Sequence, residues 1–203
     1  MMERYAELFS AYYTGEVPPG WLPEDQHSRF RVDSIRRRLD LLSRVREQFP
    51  LTSYVANALM DERFLLGVCE HFPQATRATS SLSRAVAKAL EAWVAGQDAR
   101  IEALHAYESL LLVGLRPWYE GPWKEALRER GGLPERFLLA EFSLDVLALA
   151  EYVGFLAHHV APDSFVRETV GRPRRQVLAA YPSGNSMLAR DVTALVDSIV
   201  GRV

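Results

Sequence analysis

Cysteine is nearly absent from this chain of 203 residues, since Cys69 is the single one. One thiol cannot form an internal disulfide, and such scarcity is typical of a reducing compartment. No stretch approaches the roughly 20 apolar residues that a membrane-spanning helix needs. The N-terminal residues also lack the basic start and apolar stretch of a signal peptide. We therefore expect a cytoplasmic protein with no membrane partner.

The chain also lacks an excess of charge of either sign. Its 24 basic and 26 acidic residues give a formal net charge of −2. A surface built to bind a phosphate backbone is usually strongly basic, so we expect no nucleic-acid partner. Hydrophobic residues make up 48% of the sequence, and a chain of this length can bury roughly 70% of its unfolded surface. The composition therefore predicts a globular protein that needs no disulfide or structural metal.

Familiar catalytic and cofactor motifs are absent as well. There is no Gly-x-Ser-x-Gly, phosphate loop, dinucleotide fingerprint or paired-cysteine zinc motif. Cys69 is interpreted as a buried structural thiol. The adjacent histidines His158 and His159 diverge by about 100° on a helix, so favourable charge at a helix C-terminus explains them better than metal binding.

Two Glu-x-x-His pairs leave one enzymatic alternative open. On a helix this spacing places both side chains on one face, and paired copies hold di-iron centres in helical bundles. Glu24 and His27 follow a proline-rich segment, a poor place for a bundle ligand. Glu102 and His105 lie on a predicted helix, with Glu108 on roughly the same face. A helical di-iron oxidase using Glu102 and His105 is therefore the rival interpretation.

Most of the chain before residue 132 has helical periodicity. We predict helices over 3–13, from Asp33 or Ser34 to Pro50, over 52–72 as one or two segments closed by Pro73, from Ser80 or Ser81 to Gly96, and over 98–113. The second of these has a predicted apolar stripe of Ile35, Leu39, Leu42 and Val45. Five arginines lie mostly off that stripe, namely Arg36, Arg37, Arg38, Arg44 and Arg46. Together with Arg29 and Arg31 they form a run that predicts contact with nucleic acid or an acidic protein surface, or else a solvated helix face. The net charge of −2 favours a protein partner over DNA.

The last third of the chain differs in character. Residues 176–181 and 186–192 flank a Pro-Ser-Gly-Asn turn that predicts a β-hairpin. A helical pattern follows the hairpin, and a short strand over 137–143 is a further possibility that periodicity does not settle. We predict an α+β protein with a helical domain over 1–130 and a small α+β domain over 131–203.

One long stretch resembles a known protein family. It combines Arg29, a Leu-rich helix with Leu39 and Leu42, two Phe-Pro pairs at 49–50 and 72–73, Phe64, a Ser-rich segment at 80–83, and a later helix with Leu104 and Glu108. These features resemble the partner proteins of multinuclear non-haem iron oxidases that modify ribosomally made peptides, as in methanobactin and 3-thiaglutamate biosynthesis. The resemblance covers roughly residues 25–110 and, more loosely, 134–203.

The resemblance implies a non-catalytic accessory subunit that binds a precursor's leader peptide and presents the precursor to an oxidase. Iron would belong to the oxidase, so we expect no catalytic residue, metal ligand or cofactor in this chain. It further implies that the helical part contacts the oxidase, through arginines that we take to be Arg29, Arg36, Arg37 and Arg38. The leader is expected to add to a sheet edge as another strand. For that edge we predict a segment of the hairpin with its two upstream arginines, namely Arg174, Arg175, Val177, Leu178, Ala179, Ala180 and Tyr181, with 137–143 as the other candidate. A transcription regulator with a winged C-terminal domain is the remaining alternative.

Overall fold

The structure, a computed structural model, describes residues 2–17, 19–112, 116–159 and 172–201. It is α+β, mostly helical with a small antiparallel sheet near the C-terminus, as predicted. Its backbone contacts divide the described residues into two compact units, one ending at Gln97 and one beginning at Asp98. The domain boundary predicted between residues 130 and 131 stays a prediction. The two units are described in turn.

The first unit is helical. Its elements are α1 (Met2–Thr14), a 3-10 turn (Glu24–Gln26), α2 (His27–Gln48), α3 (Pro50–Met60), α4 (Glu62–Arg77) and α5 (Leu82–Val94). Large side chains fill its core, and several are aromatic: Phe30, Phe49, Phe64, Phe72 and Trp93. Ser81 caps α5 by accepting a hydrogen bond from the Arg84 amide, which confirms the predicted start of that helix.

The predicted start of α2 is wrong by several residues. The helix begins at His27, so Asp33 and Ser34 lie inside it rather than at its cap. Ser34 is buried, and its hydroxyl donates to the carbonyl of Tyr12 in α1 at 2.7 Å. The hydroxyl that resembled a helix cap therefore joins two helices. A serine inside a helix costs little when its polar group has a partner.

The two Phe-Pro pairs have different structural roles. Pro50 occupies the first turn of α3, where a missing N–H is tolerated, and α2 ends just before it as predicted. Pro73 was expected to close a helix, but α4 continues through it to Arg77. Phe72 and Ala75 on either side of Pro73 are both buried. Packing of that face offsets the backbone hydrogen bond that proline removes.

The second unit places helices on both faces of a sheet. Its elements are α6 (Ala99–Leu111), α7 (Lys124–Gly131), β1 (Leu138–Leu144), α8 (Val146–His159), β2 (Pro173–Ser183), β3 (Ser186–Asp191) and α9 (Thr193–Val200). Asp98 caps α6 by accepting from the Arg100 amide at 2.9 Å. The predicted strand near 137–143 and the predicted hairpin and final helix are all present.

The strand order is β1-β2-β3, with both pairs antiparallel. Leu139 pairs with Ala179, and Ala179 pairs in turn with Arg190. The hairpin turns at Gly184, whose φ of +59° is readily adopted by glycine. Strand β2 is therefore central, with a partner on each side.

Each face of this sheet has its own apolar cluster. One cluster joins Val177 and Ala179 of β2 to α7 and α9 through Leu127, Val196 and Ile199. The other joins two further β2 residues to α6 and α8, and its buried members are Leu110, Leu138, Phe142, Val146, Leu178 and Ala180. Successive β2 side chains thus enter opposite cores, as strand geometry requires.

Candidate binding surfaces

Helix α2 turns a row of apolar side chains away from the core. Of the four residues in the predicted stripe, only Val45 is buried. The other buried residues of the helix are Phe30, Ser34 and Leu41, which the stripe did not include. Val32, Ile35 and Leu39 remain 65%, 51% and 55% exposed. The predicted apolar stripe is therefore not the buried face of the helix, since Ile35 and Leu39 lie outside the core.

The contacts with α1 set this orientation. The rings of Phe30 and Tyr12 lie 4.7 Å apart, and Ser34 is hydrogen-bonded to the Tyr12 carbonyl. Both contacts require the side of α2 that carries Phe30, Ser34 and Leu41 to face inward. Residues at about 180° from them, such as Val32 and Leu39, must then point outward. We call the outward row Val32, Ile35, Leu39 and half-buried Leu42 the α2 seam.

The four arginines predicted to contact a partner fall into two groups. Arg29 and Arg36 are exposed near the α2 seam, and so is Arg31. Arg37 is exposed as well, but it lies over the Tyr12 ring, 4.6 Å from its centroid, and its charge acts on the Tyr13 hydroxyl. Burial raises the pKa of the Tyr13 hydroxyl even though the Arg37 charge lowers it.

Arg38 is half-buried, and its charge acts on the thiol of Cys69. Burial nevertheless raises the pKa of Cys69 to about 12, so this thiol stays protonated at neutral pH. That state fits the predicted structural role of Cys69. Arg37 and Arg38 thus make contacts within the helical unit, although Arg37 is exposed and Arg38 half-buried, whereas Arg29 and Arg36 remain candidates for a partner contact.

In the second unit, the predicted peptide-pairing segment Val177–Tyr181 is not an edge. Its residues belong to β2, where Val177–Ala180 pair with β1 and Leu178–Tyr181 pair with β3. Strand addition at this segment is excluded, because neighbouring strands already occupy its backbone groups. Ala179 and Ala180 are small because both faces of β2 are covered by helices.

The two arginines upstream of that segment form ion pairs within their own unit. Arg174 contacts the carboxylates of Asp145 at 3.0 Å and Asp191 at 3.2 Å. Arg175 contacts Glu141 at 2.8 Å and also pairs with Asp197 of α9. The two arginines predicted to contact the leader thus join elements around the sheet.

Gln176 is a buried polar residue that the sequence interpretation missed. It is 1% exposed, and its side-chain oxygen accepts from the amides of Val146 at 2.9 Å and Leu147 at 3.3 Å, at the start of α8. Its side-chain nitrogen donates to Asp145 at 3.2 Å and Asp191 at 3.1 Å. One polar residue inside an apolar strand was the signal that could have revealed it.

Asp191 extends this polar network to α9. Its carboxylate accepts from both the amide and the hydroxyl of Thr193, and that hydroxyl accepts from the amide of Val177 at 2.8 Å. Although burial raises the pKa of Asp191, hydrogen bonds from Thr193 and Gln176 and the charge of Arg174 outweigh it, and the pKa is lowered. The network holds α8, β2 and α9 together.

Two strand edges remain for an extended peptide. Among the described strands, β1 and β3 each pair with β2 alone. Strand β1 coincides with the second predicted edge at 137–143, and its register shifts between Phe142 and Leu144. Along β3, exposed Ser186, Leu188 and Arg190 alternate with half-buried residues. Both edges have the unpaired main-chain groups that strand addition uses.

The proposed ligands of a di-iron site occupy dissimilar surroundings. Glu102 is exposed, whereas His105 is buried on the same helix. Burial and the charge of Arg116 lower the pKa of His105 to about 4, and the Ser109 hydroxyl lies 3.4 Å from its Nε2. Within the described ranges, no three His, Cys, Asp or Glu side chains cluster closely enough to hold a metal ion.

The first Glu-x-x-His pair lies in the other unit. Glu24 belongs to the 3-10 turn and His27 begins α2, and both are exposed.

No helix in the described part of the chain is long and apolar enough to cross a membrane. Comparisons with protein-family models, curated proteins and solved structures gave no match. The family resemblance therefore depends on the sequence motifs between Arg29 and Glu108.

Proposed function

We propose that this chain is a non-catalytic accessory subunit of the cytoplasm, which contacts a partner enzyme through its helical unit and holds a peptide on its sheet. The α2 seam is the observation that carries the proposal. It exposes three large apolar side chains in a row, beside Arg29, Arg31 and Arg36. Exposed apolar rows mark binding sites, and arginine is enriched at protein interfaces.

The sequence resemblance supplies the identity of the partners. The enzyme is a multinuclear non-haem iron oxidase, and the peptide is the leader of a ribosomally made precursor. The leader pairs with the outer edge of β1 or β3, since β2 has no edge to offer. Holding the precursor raises its effective concentration at the oxidase, and this assistance needs no catalytic residue in the accessory chain.

Reconstitution tests the proposal. The chain, an oxidase and a precursor peptide encoded beside its gene are purified, and the precursor's mass is measured after reaction with and without the chain. We expect modification to require the chain. Equal modification in its absence, or a gene neighbourhood without an oxidase and a short peptide, would contradict the proposal.

Iron analysis separates the accessory role from the di-iron alternative. The isolated chain is loaded with iron anaerobically, desalted and assayed for metal. We expect no retained iron beyond that of the His105→Ala variant. Stoichiometric iron that is lost in His105→Ala would instead make this chain the oxidase.

A further inference from the structure

The α2 seam has the spacing of a coiled-coil contact. Val32, Ile35, Leu39 and Leu42 follow one another at intervals of three, four and three residues. They occupy alternating positions a and d of a heptad, which face a second helix when two helices pack at a shallow angle. The row extends for roughly 15 Å along one side of the helix.

The charges beside the seam all have one sign. With Val32 at position a, Arg31 and Arg38 take position g and Arg36 takes position e, the positions that flank the contact. The acids of α2, Asp33, Asp40 and Glu47, all fall at position b, outside that flank. Asp40 is moreover paired with Arg44 at 3.1 Å.

This arrangement disfavours a second copy of the same helix. In a parallel pair, position e faces position g of the partner, and in an antiparallel pair like positions face each other. Either orientation would place Arg36 opposite another arginine from α2. Like charges at these positions destabilise pairing, whereas carboxylates would stabilise it.

We propose that the α2 seam binds an amphipathic helix of another protein, with apolar residues at its a and d positions and Glu or Asp at e and g. This inference deepens the proposed function and rests on it for the owner of that helix, the iron oxidase. The residue types expected in the partner helix follow from the residues of α2 alone. Apolar contact supplies most of the affinity, and the arginines select an acidic partner and its register.

The shape of the seam favours a helix over a lipid surface. Its four residues span about 80° of the helix circumference, narrower than the apolar stripe of 100° or more on an ordinary amphipathic helix. It also has no Trp or Phe, residues that helices lying on membranes commonly insert.

The test uses the full chain and two synthetic helices. Each is about four heptads long, with Ile at a and Leu at d. One has Glu at e and g, and the matched control has Lys there. Fluorescence anisotropy of the labelled peptides measures binding. We expect the acidic peptide to bind at least tenfold more tightly than the basic one.

Variants of the chain assign the binding to the seam. Leu39→Asp should weaken binding of the acidic peptide at least tenfold. Leu66→Asp is the matched control, because Leu66 is an exposed leucine on α4, and it should leave binding unchanged. Arg31→Glu with Arg36→Glu should reverse the preference between the peptides. Circular dichroism must show native helix content for each variant.

Four results obtained without the oxidase would overturn the inference. Two concern the peptides: equal binding of both, or unchanged binding of the acidic peptide by a folded Leu39→Asp variant. The third is a dimer of the free chain that Leu39→Asp dissociates. The fourth is binding of the chain to phosphatidylserine vesicles, abolished by Leu39→Asp, when the acidic peptide does not bind. If the Leu39→Asp variant still forms a complex with the oxidase, the α2 seam is not the binding site, but the accessory role stands. If the α2 seam binds the acidic peptide but the chain forms no complex with the oxidase, the helix-binding site stands and the accessory role fails.

Discussion

The guanidinium of Arg37 lies 4.6 Å from the centroid of the Tyr12 ring, so that an arginine expected at a partner interface instead holds α1 against α2. A cation over an aromatic face contributes about 0.5 to 1 kcal/mol at an exposed site. The neighbouring Arg36 is also exposed, lies beside the α2 seam and stays a candidate for the partner contact. The effects of replacing Arg37 and Arg36 on stability should therefore differ.

We expect Arg37→Ala to lower the free energy of unfolding by about 1 kcal/mol, because it removes the contact with the Tyr12 ring. Urea unfolding measures the change. The matched control Arg36→Ala should stay within about 0.5 kcal/mol of the parent protein. Equal effects of the two variants would show that Arg37 is only solvated.

Gly67→Ala should destabilise the helical unit by roughly 1 to 3 kcal/mol through overpacking. A Cβ at this position would overlap the Trp93 ring, which packs against Phe64 with ring centroids 5.0 Å apart. The cost should shrink in a Trp93→Leu background, because the obstructing ring is then gone. Additive effects of the two substitutions would contradict the contact.

Gln176→Leu should lower the free energy of unfolding by about 2 to 3 kcal/mol, because it leaves buried amides at the start of α8 without an acceptor. Thermal and urea unfolding measure this cost. Gln97→Leu is the control, since half-buried Gln97 makes one bond to the carbonyl of Trp93 at 3.1 Å. A smaller effect at Gln176 than at Gln97 would refute its role in the network.

Ala179→Pro should unfold the sheet rather than only block a peptide. Strand β2 is central, so proline there removes a ladder hydrogen bond, and the buried acceptor left without a donor costs about 1 to 3 kcal/mol. Far-UV circular dichroism and thermal melting give the readout. Leader binding must therefore be tested at the outer edges of β1 and β3. A native melting temperature for Ala179→Pro would contradict the observed strand order.

Burial of His105 predicts a dependence of stability on acid. Its pKa is lowered from 6.5 to about 4, so below pH 6.5 the unfolded chain binds a proton that the folded chain does not. The free energy of unfolding should therefore fall by roughly 2 to 4 kcal/mol as the pH is lowered from 6.5 to 4. His105→Gln should flatten that slope, whereas the exposed-site control His27→Gln should keep it. An unchanged slope in His105→Gln would contradict the prediction.

Local chemistry in the sequence was enough to predict several elements. Ser81 caps α5 where its side chain suggested, α6 begins next to Asp98 as its periodicity predicted, and Gly184 turns the hairpin. These features depend on a few neighbouring residues, so one sequence suffices to recognise them. The α+β class followed from the change of pattern after residue 132.

Other features depended on partners distant in sequence. The sequence alone predicted an amphipathic helix from Asp33 or Ser34 to Pro50 and a strand over 176–181. Only the tertiary structure decided that Ile35 and Leu39 face outward. The opposite face of α2 packs against Tyr12 of α1, because the Phe30 ring contacts the Tyr12 ring and the Ser34 hydroxyl donates to the Tyr12 carbonyl. Likewise, only the pairing of β1 with β2 made Val177–Tyr181 a central strand and left the edges to β1 and β3. Periodicity identifies a face or a strand, but the element packed against it determines whether it is buried.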